Sequence, residues 1–404
     1  MAAELIIQLQ SDEKDFQWHR LVNFPSRYSA YIVFSYTDNP ASRQMAIDLS
    51  NSLIAALATM DCTEDVNYNA NGPNHNLDTF HSTLPRENIK LLVIVSDGNS
   101  AVFSNDGIPN WKNDVLPVIK AGATVLFDEP FNKFNAVFWK KNIKEVVPAI
   151  MRLTGVSDEG QRIFISYRRV DTTEFADQLF DRLSHEGFEV FLDRFSIEPA
   201  VNFQMRLSQE LSDKAMVVLL ESPTYLQSGW IQYEIDFAKT YRLGLFALNI
   251  DNAPKIPTVD DEYRKNITLG KDKRMGDDEM NELVYEIRMR HETALFRKRY
   301  NLYNGIMVAL NARGASPATD EKGFINVYSK VKKVDYKIWA VGRPADTHDY
   351  HLSDSSSNKN EGIIIGPEFI EANRYEVNKW LAGKSRILFF NESQILDLCD
   401  IVCL

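Results

Sequence analysis

The sequence predicts an α/β protein: two flavodoxin-like, doubly wound parallel-sheet domains in tandem, followed by a smaller α+β or α/β domain. Three observations carry this reading. From residue 162, short apolar runs alternate with amphipathic helical stretches, the rhythm that builds a parallel sheet. The N-terminal part repeats that order, with a Ser-Tyr pair near the end of an apolar run in each copy. A chain of 404 residues is also too long for one ordinary core and suits domains of about 100–200 residues. The expected domains are 1–155, 160–300 and 301–404, with the two copies joined near LTGVSDEG.

In the second copy, RIFISYR is a strand, TTEFADQLFDRLSHEG a helix ending at Gly187, and FEVFLD a second strand. FSIEPAVNF is a loop, QMRLSQELSDKA a helix and MVVLLES a third strand. GWIQYEIDFAKTYRLG is a helix closed by Gly244, LFALNID a fourth strand, and DDEMNELVYEIRMRHETALFRKRY a closing helix after a charged, irregular segment. In the first copy YSAYIVFSYTD is a strand, ASRQMAIDLSNSLIAAL a helix and KLLVIVSDGN a strand. NWKNDVLPVIKAG then reads as a helix parallel to GWIQYEIDFAKTYRLG, and ATVLFDE takes the place of the fourth strand. Beyond residue 300, FINVYSKV, YKIWAVG, GIIIGP and RILFF are candidate strands and EANRYEVNKWLAG a helix, between the polar stretches ARGASPATDEKG and LSDSSSNKNEG.

Composition narrows the function classes. Charged residues make up 25% and hydrophobic residues 44%, and the net charge of −11 is spread along the chain, as in a soluble globular protein. That balance argues against direct nucleic-acid binding, which usually needs a basic stripe. No basic leader precedes an apolar run, and no stretch approaches the roughly 18 apolar residues that span a bilayer, so no membrane role and a cytoplasmic location are expected. The three cysteines, Cys62, Cys399 and Cys403, fit a reducing compartment without a disulfide framework.

Ligands of open parallel sheets sit beyond the carboxyl ends of the strands. In the second copy those ends carry Ser166-Tyr167-Arg168-Arg169, Asp193-Arg194 and Glu221-Ser222. Arg168 or Arg169 offers a fixed cation for a phosphate or pyrophosphate. Phe195 and Phe203, in the loop after the second strand, are apolar side chains suited to covering a flat ring. Trp230 and Glu234 stand four residues apart and so share one face of a helix. Taken alone, an acid in the first turn of a helix is a dipole-stabilised surface residue, Ser166 and Tyr167 are packing residues, and Asp193 is a loop cap.

FISYRRVDTTEFADQL, FEVFLDRFSIEPAVNF and SGWIQYE together resemble the three conserved boxes of the Toll/interleukin-1 receptor (TIR) domain, in its bacterial and plant branches, over about residues 160–300. The resemblance implies that Glu234 is the catalytic residue of an NAD+-cleaving enzyme. It places the first box on Ser166, Tyr167, Arg168 and Arg169, and the loop after the second strand on about Phe195 to Phe203. NAD+ is then a substrate, and no cofactor or metal is expected. Nicotinamide is cationic in NAD+ and leaves as a neutral molecule, so no general acid is needed; a desolvated carboxylate beside the ribose suffices to stabilise an oxocarbenium-like charge. Attack by water yields ADP-ribose, and attack by a nucleophile of the substrate itself yields a cyclic product. The resemblance also implies self-association through TIR domains, a partner protein or small-molecule trigger, and a place in immunity, against phage in bacteria. The rival readings are a non-catalytic TIR adaptor or scaffold, and a receptor for a nucleotide signal.

The first copy departs from the pattern. It has Trp111, but Val115 stands four residues on, Asp114 lies one place off that face, and its strand end SYTD lacks the arginines. It reads as a degenerate copy with a structural or sensing role. THDYHLSD gathers Asp346, His348, His351 and Asp354, residue types that can hold a metal, but beside a polar low-complexity loop it reads as a solvated turn. Cys399 and Cys403 lack the second pair of a zinc ribbon and fit a C-terminal apolar helix.

Overall fold

The computed structural model describes residues 3–10, 16–26, 28–37, 39–66, 68, 89–99, 114–123, 133–156, 161–192, 203–320, 322–357, 361–367 and 372–404. They fall into two compact units, Met1–Asp158 with Glu321–Gly323, and Glu159–Asp320 with Phe324–Leu404.

The first unit contains β1 (Leu5–Gln10), β2 (Phe16–Val22), β3 (Ala30–Tyr36), α1 (Pro40–Ala58), β4 (Thr63–Glu64), β5 (Ile89–Ser96), β6 (Asp114–Lys120), β7 (Val137–Trp139) and α2 (Val147–Leu153). The sheet order is β4-β2-β1-β3-β5-β6-β7. Strands β1, β3, β5, β6 and β7 are parallel, and β2 and β4 add an antiparallel edge. Helix α1 begins where Pro40 presets the first turn and the Asn39 side chain accepts from the Ser42 backbone N–H at 2.8 Å.

The helix expected over 110–122 is corrected: the DVLPVIK segment is strand β6. Val115, Leu116, Val118 and Ile119 are all buried, the continuous apolar run of a strand covered on both faces. Pro117 at its centre has no N–H for a helical ladder and would clash with the preceding turn. Asp114 opens this strand, exposed, and stands on no helix face. Trp111 and the segment 124–130, which holds most of the expected fourth strand, lie outside the described residues. The hairpin β1–β2 has no counterpart in the expectation; its alternation Leu5, Ile7, Leu9 buries one face.

The second unit opens with β8 (Arg162–Ser166), α3 (Arg169–His185), β9 (Glu189–Leu192), α4 (Phe203–Ser212), β10 (Met216–Glu221), α5 (Gly229–Thr240), β11 (Gly244–Ile250), β12 (Arg264–Ile267) and α6 (Asp277–Ala312). The order β12-β11-β10-β8-β9 is wholly parallel, the flavodoxin-like 2-1-3-4-5 arrangement. Strand alternation sends Ile163, Ile165, Met216, Val218 and Leu220 into one core with α3 and α6, and Phe164, Val217 and Leu219 into another with α4 and α5.

Two local expectations change here. Gly244 does not close α5. Arg242 takes the left-handed conformation (φ 54°) after the helix end, and Gly244 opens β11. A Cβ on Gly244 would stand 2.7 Å from the Cβ of Ala294 on α6, so glycine lets strand and helix approach. The charged segment before α6 also holds a fifth strand, β12. Its Arg264 is buried because Nε donates to Glu221 Oε2 at 2.9 Å, which a hydropathy pattern does not reveal.

Helix α6 continues past residue 300. Leu302, Ile306 and Leu310 recur every fourth residue and enter a third core with Ile325, Ile338, Ile363 and Leu398. The elements around it are β13 (Ala318–Thr319), β14 (Ile325–Ser329), β15 (Val334–Ala340), α7 (Thr347–Ser356), β16 (Gly362–Gly366), α8 (Ala372–Ser385), β17 (Leu388–Asn391) and α9 (Ile395–Cys403), with α9 in that core and α7 and α8 in a separate one with Trp339 and Ile364. The order is β13-β14-β15-β16-β17, with β15, β16 and β17 parallel. The turn expected at THDYHLSD is helix α7. Asp346 caps it by accepting from His348 N at 2.9 Å and Asp349 N at 3.2 Å. Buried Asp349 accepts from Trp339 Nε1 at 3.1 Å and Arg343 Nη1 at 2.7 Å, which fixes the cap from below. Among the described residues no helix is long and apolar enough to cross a membrane.

Candidate active site

The carboxyl edge of the second sheet is built by the ends of β8 and β10 and by the start of α5. Ser166 is the last residue of β8, on the face that Phe164 shares, and it points toward α5. Helix α5 turns Ile231, Glu234, Ile235 and Ala238 inward, a stripe of three- and four-residue steps in which Glu234 is the polar member. Glu234 is only 7% exposed and Ser166 3%. The Ser166 hydroxyl donates to Glu234 Oε2, and the Tyr225 hydroxyl lies 2.9 Å from Ser166 Oγ. Burial pushes the Tyr225 phenol well above its usual range, with the nearby Glu234 charge adding to the effect. Tyr225 therefore stays protonated and holds the chain Tyr225–Ser166–Glu234 together. Sequence reasoning passed over Tyr225, because a tyrosine between β10 and α5 has no periodicity to mark it.

A second set of contacts fixes the approach to this chain. Asp171, in the first turn of α3, accepts at Oδ2 from Ser222 Oγ at 2.7 Å, Thr224 N at 2.9 Å and Thr224 Oγ1 at 2.6 Å. Burial alone would raise the Asp171 pKa. Hydrogen bonds from Thr224 and Ser222 and the charge of Arg168 outweigh it and hold the carboxyl below its ordinary value. The loop that leads into α5 is thereby tied to the start of α3. Glu221, the last residue of β10, is fully buried. Besides Arg264 it accepts from Asn249 Nδ2 and Ile256 N, each at 2.8 Å, so it closes the sheet edge and does not line the crevice.

The other predicted residues separate. Tyr167 is buried on the opposite face of the sheet, in the core with Phe175 and Leu179. Arg168 is half-buried at the N-cap of α3, and Arg169 is exposed at its first position. Trp230 is 46% exposed, one helical turn before Glu234 on the same face of α5. Phe203 begins α4. Asp193 and Phe195 lie outside the described residues. Among the described residues no three His, Cys, Asp or Glu side chains gather as a metal site, and His348 stands in the capped first turn of α7.

A parallel 2-1-3-4-5 sheet with helices on both faces is a flavodoxin-like build. Residues 163–284 match the TIR-domain family, and the chain carries a TIR domain there. The chain is similar to a probable 2′ cyclic ADP-D-ribose synthase, BdTIR, of Brachypodium distachyon, at 29% identity over 104 residues, 25% of this chain and 46% of that protein. It is also similar to the 2′ cyclic ADP-D-ribose synthase BtTIR of Bacteroides thetaiotaomicron, at 26% identity over 73 residues, 18% of this chain and 25% of that protein. The chain thus spans less than half the length of either relative.

Proposed function

We propose that the TIR domain breaks the nicotinamide–ribose bond of NAD+, with Glu234 as the catalytic carboxylate. The observation that carries this reading is a carboxylate desolvated at the carboxyl edge of a parallel sheet and oriented by Ser166, itself tied to Tyr225. In so dry a site a fixed negative charge is worth far more to a developing cation than in water. As the C1′–N bond breaks, its electron pair leaves with nicotinamide and C1′ becomes positive opposite Glu234. Capture by a hydroxyl of the same ADP-ribose gives a cyclic isomer, and capture by water gives ADP-ribose; either step releases one proton. The names of the two relatives favour the cyclic product. In this reading Trp230, at the rim of α5, covers a flat ring of the substrate and Arg168 answers the pyrophosphate. For Asp193 and Phe195 the proposal keeps the substrate-contact role that the family resemblance implies. NAD+ is the substrate, and no further cofactor is invoked.

The role in immune defence, the self-association and the trigger follow from the family resemblance and rest on this reading. A scaffold reading makes the Ser166–Glu234 bond purely structural. Incubating the purified chain with NAD+ at low and high protein concentration and resolving the products decides between them. Release of nicotinamide that rises with assembly supports the enzyme; no release at any concentration supports the scaffold.

A further inference from the structure

The hydrogens of the chain Tyr225–Ser166–Glu234 have one favourable direction. Tyr225 is fully buried, and among the described residues Ser166 Oγ, 2.9 Å away, is the hydrogen-bond partner of its hydroxyl. Ser166 Oγ has two partners, Tyr225 Oη and Glu234 Oε2. A serine hydroxyl has one hydrogen, and an ionised carboxylate has none to give. With Glu234 ionised, the Ser166 hydrogen therefore goes to Oε2 and Tyr225 donates to Ser166, so both hydrogens are used. Were Ser166 to donate to Tyr225 instead, the phenol hydrogen would be left in a dry core without an acceptor, a costly arrangement.

We propose that Tyr225 is a positioning residue for the carboxylate: acting through Ser166, it fixes the direction of donation and so favours the ionised form of Glu234 that the proposed bond cleavage requires. A hydrogen bond donated to the charged form of a carboxyl favours that form. A hydroxyl that itself accepts a hydrogen bond is polarised by it and donates more strongly. This role deepens the reading of Glu234 as the catalytic carboxylate and rests on it; the direction of the hydrogen bonds does not.

The neighbouring charges are committed elsewhere. Glu221 at the end of β10, whose charge the Tyr225 phenol also feels, is held by Arg264, Asn249 and the Ile256 backbone. Asp171 of α3 takes Ser222 and Thr224, and the Arg168 charge acts on it. On α5, Asp236 and Lys239 are exposed, with Gln232 donating to Asp236 and Lys239 to the Thr258 carbonyl. The Tyr233 hydroxyl meets Ser208 of α4, whose Leu207 and Leu211 enter the same core as Tyr225. Burial keeps the Tyr225 phenol well above its usual range, so it remains a donor wherever carboxyls titrate. The bonds from Thr224 to Asp171 hold the residue just before Tyr225 and so steady the phenol.

The test is a carbon-13 titration of the full chain labelled at the glutamate side-chain carboxyls, with the Glu234 resonance assigned by its loss in Glu234→Gln. In Tyr225→Phe the Glu234 midpoint should rise by about half to one pH unit, and in Ser166→Ala by about one to two, since the latter removes a donor to the charge itself. Added to Ser166→Ala, Tyr225→Phe should shift nothing further, because the effect passes through Ser166. Placing 3-fluorotyrosine at position 225, a stronger donor of nearly the same shape, should move the midpoint down, an outcome that loss of packing does not produce. The acid limb of kcat for NAD+ should follow the same shifts, the rate falling at higher pH in Tyr225→Phe than in the parent. An unchanged midpoint in Tyr225→Phe, or an equal shift with and without Ser166, overturns the proposal. The titration needs no turnover, so its failure is distinguishable from failure of the proposed activity, which absence of nicotinamide release alone would show.

Discussion

The two sheets that carry a Ser-Tyr strand end differ in what reaches that end. In the TIR domain β8 has β9 beside it, a strand that arrives through α3, and on its other side β10 leads into α5 and Glu234. In the first unit the equivalent strand β3 has β1 beside it, a strand that precedes it and turns back as the hairpin to β2, while α1 leads away to β4 at the far edge. The carboxyl edge there is filled by a polar network. Thr37 Oγ1 meets Ser42 Oγ at 2.8 Å, Ser42 Oγ takes the Asp97 N–H at 2.9 Å, and Asn39 Nδ2 reaches Asp97 Oδ1 at 3.1 Å. Both sheets thus tie the first helix to the loop after the third strand of the motif with an acid, Asp171 in one and Asp97 in the other. A shared strand end sets the scaffold; the connections that cross it set the chemistry.

The largest effect that tests this contrast is Glu234→Gln. The amide still accepts from Ser166 but carries no charge, and NAD+ turnover should fall about 100-fold or more, the scale for loss of a main electrostatic stabiliser. Stability should fall by no more than about 1–3 kcal/mol, the cost of an amide N–H left without an acceptor at a site only 7% exposed. Steady-state kinetics beside thermal unfolding reads both, and full activity in this variant breaks the assignment of the site to the TIR domain.

Next in size is Asp171→Ala. It strands the donors of Ser222 and Thr224, so urea unfolding should show a loss of about 1–3 kcal/mol from the second unit. Gly244→Ala is comparable: a methyl group 2.7 Å from Ala294 Cβ must push α6 away from β11, at a cost of about 1–3 kcal/mol. An unchanged unfolding midpoint would show that this contact yields.

Acid sharpens the comparison further. Asp171 and Asp97 both have folded-state pKa values below their ordinary values. At Asp97 burial pulls upward and is outweighed by hydrogen bonds from Asn99, Asn39 and Ser42. Each stabilises its unit above the ordinary carboxylate range, and that contribution is lost as pH falls from about 4 through the depressed folded value. Asp97→Asn should flatten only the first unit's acid transition, and Asp171→Asn only the second's, as followed by amide hydrogen exchange. The smallest effect is Asp114→Asn, at the exposed start of β6, which should leave NAD+ cleavage and stability unchanged.

The TIR sheet was legible because its strands are short continuous apolar runs alternating with helices of period about 3.6, and because Trp230 and Glu234 share a helix face. The burial of Glu234 was not legible: a helical pattern places an acid among apolar neighbours without saying which neighbour bonds it, and Ser166 lies 68 residues away. Tyr225 and Arg264 escaped for the same reason, since their partners are remote in sequence. The first unit misled more. A run such as DVLPVIK suits a buried helix or a buried strand by hydropathy, and only Pro117 argued for the strand. The β1–β3 pairing puts an earlier strand where the repeat called for a later one, and no local signal encodes that choice.

Helix α6, 36 residues long, spans about 54 Å at 1.5 Å per residue. Its first half packs on the TIR sheet and its last turns on the third sheet, where Gly342 comes against the Arg299 backbone so closely that a Cβ would stand 3.3 Å from its nitrogen. One unbroken rod thus serves as structural timber for both layers. A fragment cut at residue 300 would saw through that beam, baring Leu302, Ile306 and Leu310 from the portion left behind, so the practical unit for expression or for exchange between proteins is the whole of 161–404.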